Sequence, residues 1–195
     1  MLAAVILAAG ESRRMRSPKA LLSHQGRPFV EHLLEVTSHP KVGLTRVVLG
    51  ANAEDILSHL KLDPVMVVIN NDWEKGQLSS IHAALRSLPV ALTDGVLLCL
   101  VDHPLITGAL VRELIEKFYS SGKAIVLPTY KGKRGHPVIF ASALFDEMLA
   151  APLEQGARSV VWAHAADVLE VPTIEEGVVL NLNDPEALRR ALGSS

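Results

Sequence analysis

"AAVILAAGESRRMRSPK", residues 3–19, runs from an unbroken apolar stretch through Gly10 into a cluster of cations. An apolar run without alternation is the pattern of a strand covered on both faces, as in a parallel sheet flanked by helices. Arg13, Arg14, Arg16 and Lys19 then fill four of the seven positions 13–19, although the 195-residue chain carries a formal net charge of only −2. The crowding is therefore local. A Gly that lets the backbone adopt positive φ and approach a ligand, followed by Arg and Lys, suits a polyanion such as a phosphate chain. A solvated basic loop is the competing reading.

The same strand pattern recurs along the chain. Apolar runs at 46–50, 65–70, 96–101 and 124–128 alternate with amphipathic segments at Phe29–Thr37, Glu54–Leu60, Leu78–Leu88 and Gly108–Ser120. This order predicts an α/β fold, a Rossmann-like, mostly parallel sheet with helices on both faces. Beyond 128, strands are expected at 136–140, 167–171 and 177–182. Helices are expected at Ser142–Ala150, Ala157–Ala165 and Pro185–Leu192, with the final Gly-Ser-Ser frayed. No repeat or linker divides residues 1–195, so one domain is expected.

Composition narrows the partners. Nineteen Lys and Arg against 21 Asp and Glu leave no basic field for nucleic acid. Cys99, the only cysteine, excludes an intramolecular disulfide and a multi-cysteine zinc site, and its apolar surroundings read as burial rather than nucleophilicity. The N-terminal run lacks a basic leader and is too short to cross a bilayer, so no membrane partner and a cytoplasmic protein are expected.

In an open parallel sheet, ligands gather outside the carboxyl ends of the strands. Four polar groups are expected on that rim: the basic loop, Asn70-Asn71-Asp72, Asp102-His103 and Asn181 to Asp184. A carboxylate facing a phosphate loop needs a cation between them, and Mg²⁺ held by one or two protein oxygens supplies it. Asp102 is thus a candidate metal ligand or, alternatively, a cap for the next helix. Asp184 before Pro185 reads as the cap of the last helix. No Walker-type G-x-x-x-x-G-K-[ST], no G-x-G-x-x-G, no H-E-x-x-H and no G-x-S-x-G occurs.

"LAAGESRRMRSPKALL", "NNDWEKGQLSSIHAAL", "LVDHP", "KRGHPVIF", "EQGARSVV" and "NLNDPEAL" follow one another in order. Together they resemble the MobA-like nucleotidyltransferases, in the branch holding the molybdenum cofactor cytidylyltransferases and guanylyltransferases. The resemblance implies a nucleotide-diphospho-sugar transferase fold in a single nucleotidyltransferase domain. It implies that Leu7, Ala8, Ala9 and Gly10 line the nucleotide pocket with backbone groups and that Arg14 and Lys19 hold triphosphate oxygens. Asn71 or Asp72, with Ser79 and Ser80, would lie near base and ribose. Asp102 would bind a catalytic Mg²⁺, helped by Asn181 or Asn183.

The implied reaction moves NMP from an NTP to a phosphorylated acceptor, molybdopterin foremost, with a molybdoenzyme as possible partner. Ala9 and Pro18 look like the cytidylyltransferase branch, which favours CTP over GTP. Arg16 stands where the family commonly has Gly. Asn181 and Asn183 stand where the cytidylyltransferases often carry Asp, leaving the second metal oxygen open.

"KGKRGHPV" (131–138) reads two ways: Lys131, Lys133, Arg134 and His136 on the acceptor's phosphate, or a solvated hairpin with a structural His. Trp73 and Trp162 read as packing residues before stacking platforms. Two rivals remain: a nucleotidyltransferase for a sugar phosphate or phosphocholine, and a non-catalytic nucleotide- or cofactor-binding protein.

Overall fold

The computed structural model describes residues 1–15 and 17–192; the expectations for Arg16 and for the terminal Gly-Ser-Ser lie outside them. Strand β1 (Leu2–Ala8) is buried along its whole length. It pairs in parallel with β4 (Val42–Leu49) on one side and β6 (Gly95–Leu100) on the other. Strand β5 (Val67–Ile69) extends the sheet beyond β4, also in parallel. Beyond β6 lie β9 (Val138–Ala141), β7 (Ile125–Tyr130) and β10 (Val168–Pro172), giving the order β10-β7-β9-β6-β1-β4-β5. Only β9 opposes its neighbours in this run, being antiparallel to both β6 and β7. A two-residue strand, β8 (Lys133–Arg134), folds back on β7, and β2 (Ser23–His24) pairs with β3 (Arg27–Pro28) in a separate hairpin.

The period-two geometry of a strand explains why β1 has no polar face. Leu2, Ile6 and Ala8 enter one apolar cluster with helices α1 (Phe29–Val36), α2 (Ala53–His59) and α4 (Gly108–Ser121). Ala3, Val5, Leu7 and Ala9 enter the other, with α3 (Gln77–Arg86), α5 (Phe145–Ala150) and α6 (Arg158–Ala163). Helix α7 (Pro185–Leu192) closes the described chain, as expected.

One expected strand is absent. Residues 177–182 form a 3-10 turn at Glu176–Val178 and then an irregular path. Val178 and Leu182 are apolar because they anchor this segment in the core, not because they line a sheet. Its backbone bonds go to two loops instead: Val178 O accepts from His136 N–H at 2.8 Å, and Leu182 N–H donates to Asp102 O at 2.8 Å. Glu175 accepts from the Thr107 hydroxyl at 2.7 Å, while Gly177 passes so close under the Leu105 carbonyl that a Cβ would overlap it. Residues 175–183 are thus a strap over the carboxyl ends of β6 and β7. The rim is built from the parallel strand ends and this strap, rather than from a further strand at 177–182.

Candidate active site

The adjacent parallel strands β6, β1, β4 and β5 deliver their carboxyl ends to one rim, where a cleft of about 730 Å³ opens. Leu7, Ala9 and Gly10 line it at the end of β1, with Arg14 and Lys19 from the basic loop. Ala8 is not among the lining residues, and its side chain packs into the core on the opposite face. Gly10 does not adopt positive φ, contrary to expectation; Ser12 takes the left-handed conformation, at φ 57°. Gly10 instead faces open space, with nothing within 4 Å of where a Cβ would stand. Buried Met15 pins the loop, and the Ser12 hydroxyl accepts from Lys19 N–H at 3.1 Å. Arg13 and Arg14 both line the cleft, Arg13 in an exposed pair with Glu11 at 2.5 Å.

Lys19 crosses the cleft floor. Its ammonium lies 3.4 Å from Asp102 Oδ2 and donates to Asn183 Oδ1. Asp102 follows β6 and does not cap the next helix, because Thr107 does so through its hydroxyl, which accepts from Leu110 N–H at 3.2 Å. Two oxygens from distant parts of the chain therefore converge on one cation. That donor set, a carboxylate and an amide oxygen with the rest of the shell open, fits a hard divalent ion that also takes phosphate oxygens. Among the described residues no group of three His, Cys, Asp or Glu offers a self-sufficient metal centre. Asn181 is exposed and does not line the cleft, so the strap presents Asn183 alone. Asp184 caps α7, and the 2.8 Å bond from Ala187 N–H holds its carboxyl below the usual range.

Around the expected base and ribose site the structure departs from the sequence reading. Asn71 and Asp72 are exposed and do not line the cleft. Buried Asn70 organises the loop instead: its Oδ1 accepts from Asp72 N–H at 3.0 Å, and its Nδ2 donates to Ser79 Oγ at 2.9 Å and Ser80 Oγ at 3.0 Å. Ser79 spends its own proton on the Asp72 and Gly76 carbonyls and does not line the cleft. Ser80 does line it. Its oxygen is occupied by Asn70, which leaves its proton for a ligand. Trp73, Glu74, Gly76 and Gln77 form the rest of this wall and were not read as site residues. The positive φ of Gly76, at 94°, turns the chain into α3 and brings them there.

A second cleft of about 730 Å³ shares Glu74, Gly76 and Gln77 with the first. His136 and Arg134 line it; Lys131 and Lys133 do not. Those lysines belong to a β7–β8 hairpin turn with Lys131 and Gly132 at positive φ, so for them the solvated-hairpin reading holds. Behind Asp102, the rings of His103 and His136 lie 5.1 Å apart, and both Nδ1 atoms are buried without a partner. Burial lowers the pKa of both, most for His136, which its proximity to His103 helps bring to about 4, against the opposing pull of Asp102. Cys99 is buried in the sheet, and burial pushes its thiol up to about 12, an inert group.

A parallel sheet that gathers a basic loop, a carboxylate and an open cleft at its carboxyl rim is the architecture of a nucleotidyltransferase of the nucleotide-diphospho-sugar transferase fold. Residues 4–168 match the MobA-like NTP transferase domain, and the chain belongs to that family. It is 32% identical to nicotine blue oxidoreductase of Paenarthrobacter nicotinovorans over 72% of this chain and 71% of that one. It is 28% identical to molybdenum cofactor guanylyltransferase of Cereibacter sphaeroides over 96% of this chain and 93% of the relative. Among solved structures, Rv0371c of Mycobacterium tuberculosis H37Rv superposes with a TM-score of 0.83 at 26% identity, covering 99% of this chain and 97% of its own. Rv0371c has also been solved in complex with manganese. No helix among the described residues is long and apolar enough to cross a membrane.

Proposed function

We propose that the protein transfers NMP from an NTP, with CTP favoured over GTP, to a phosphorylated acceptor, and that molybdopterin is the first acceptor to test. The observation that carries the reading is the meeting of Asp102 and Asn183 oxygens on one cation, at the floor of a cleft walled by Gly10 and Arg14.

An oxygen of the acceptor's phosphate attacks the α-phosphorus, the bond from that phosphorus to the bridging oxygen breaks, and pyrophosphate leaves with the electron pair. An anion attacking an anion is opposed electrostatically, so positioning and charge neutralisation do most of the work. Asp102 and Asn183 would hold a divalent ion, which would supply Lewis-acid polarisation of the phosphate chain. Arg14 and Lys19 neutralise charge on the departing pyrophosphate, and Ser80 donates to the nucleoside. Selection of a pyrimidine is argued from Ala9, which lines the cleft with its methyl in place of a hydrogen.

The test is a matrix of the four NTPs against phosphorylated acceptors, including molybdopterin, sugar phosphates and phosphocholine, with pyrophosphate release as readout. Release with CTP and molybdopterin, abolished by Asp102→Ala, is expected. A GTP preference overturns the base choice, and no release with any pair overturns the reaction. The similarity to nicotine blue oxidoreductase supplies the competing reading, a redox protein on the same scaffold; redox turnover of nicotine blue without an NTP favours it.

A further inference from the structure

The second cleft bears on where an acceptor would sit, an inference that rests on the nucleotidyl-transfer reading for the identity of the occupant. Its floor is apolar, with Leu98, Leu127, Val138 and Phe140 projecting from the sheet. Three cations line it, and their partners differ. Lys75 is paired with Asp72 at 2.8 Å, and Arg134 with Glu170 at 2.8 Å. Arg158 has no carboxylate partner among the described residues; its Nε donates to the Gln155 carbonyl at 2.9 Å, which fixes the guanidinium and leaves its terminal N–H groups uncommitted. Four residues on, and so on the same helical face, Trp162 is 62% exposed, an uncommon state for a large aromatic side chain. The guanidinium lies 5.8 Å from the Trp162 ring centroid.

We propose that Arg158 and Trp162 are the acceptor-binding pair: the guanidinium takes an anionic phosphate of the acceptor, and the indole stacks on the flat organic part beside it. Arginine suits this task because its planar fork donates two parallel hydrogen bonds to a phosphate while its face remains against an aromatic ring. Glu74 and Glu154 also line the cleft, Lys75 and Arg134 are held in exposed ion pairs, and Arg158 is the cation there without a carboxylate partner among the described residues. The expected grip of Lys131 and Lys133 is replaced by a residue on α6, within the stretch "EQGARSVV".

The chain's two tryptophans make the test local, since Trp73 lines the first cleft and Trp162 the second. In Trp73→Phe, Trp162 emission is titrated with phenyl phosphate, phenol and inorganic phosphate. Phenyl phosphate is expected to bind at least about tenfold tighter than either fragment, and Arg158→Gln to weaken it about tenfold or more while Arg158→Lys recovers part. Phenol binding as well as phenyl phosphate, or an unchanged Arg158→Gln, overturns the anion grip; inorganic phosphate binding as well as phenyl phosphate overturns the stacking. In Trp162→Phe, Trp73 emission is titrated with CTP and Mg²⁺, and the same response after adding Arg158→Gln shows that this variant remains folded. A response at Trp73 with none at Trp162 sinks the grip and spares the nucleotide reading; the reverse sinks the nucleotide reading alone.

Discussion

The Lys19 ammonium stands 3.4 Å from Asp102 Oδ2 and also bonds Asn183 Oδ1, so it occupies the point where a divalent ion would bridge those oxygens. Two cations cannot share it. Lys19 must therefore leave before a metal enters, and the phosphates of an NTP give the ammonium somewhere to go. Metal binding to the free protein is then weak and becomes favourable together with nucleotide. Lys19→Met removes the competitor: Mn²⁺, followed by water-proton relaxation without nucleotide, is expected to bind roughly tenfold tighter than to the wild type, about 1.4 kcal/mol. The same variant is expected to bind CTP with Mg²⁺ more weakly. Equal Mn²⁺ affinities in both proteins would show that Lys19 and the metal do not compete.

Asp102→Ala removes the carboxylate that faces the Lys19 ammonium. By comparison with other lost electrostatic stabilisers, turnover is expected to fall by roughly 10²-fold or more. The Mn²⁺ signal should vanish alongside pyrophosphate release. If release persists at the wild-type rate, Asp102 holds no metal.

Ser80 and Asn70 separate binding from folding. Ser80→Ala deletes one donor to the ligand, and the KM for the NTP is expected to rise roughly five- to tenfold with little change in stability. Asn70→Ala strands the Asp72 N–H and leaves both serine hydroxyls short of a donor. It should destabilise the fold by about 2 kcal/mol in urea denaturation. Identical behaviour of the two variants would mean that Ser80 serves the loop and not the nucleotide.

These residues also mark what the sequence made legible. β1 was readable because a strand buried on both faces has no polar positions to confuse the period, and Asp102 because it interrupts such a run at its carboxyl end. Asn70, Asn71 and Asp72 look equivalent as letters; only the fold decides that Asn70 turns inward and that the other two turn to solvent. The segment 177–182 carries the apolar content of a strand, yet its backbone partners are the loops at 102 and 136, an outcome set by distant chain rather than by local propensity. Trp162 was read as packing because exposure is invisible in a string. Arg158 has no local signal beyond its place in the family resemblance.

The strap offers a sharper contrast between two glycines. Gly177→Ala places a methyl group against the Leu105 backbone, which has no flexible end to yield. The strap must shift, and with it Asn183. We expect a loss of about 1–3 kcal/mol in stability and weaker Mn²⁺ binding in the presence of CTP. Gly10→Ala meets nothing within 4 Å and should melt like the wild type, while its methyl group intrudes on the cleft and weakens CTP binding. Comparable melting of Gly177→Ala and wild type would show that the strap is not held by this contact.

His136 gives the pH dependence. Its pKa is brought from 6.5 to about 4 by burial first and by His103 second, so the folded protein holds it neutral. Unfolding frees it to bind a proton at its ordinary value, and the unfolded state therefore takes up more protons between those two pH values. The stabilisation is fully present above about pH 6.5 and is lost as the pH falls toward 4, by at most about 3 kcal/mol. His103, lowered in the same direction, adds to the slope. Urea midpoints measured from pH 7.5 to 4.5 should decline in the wild type and decline less in His136→Gln, whose side chain carries no titrating proton. Parallel declines in the two proteins would place the acid sensitivity elsewhere in the molecule.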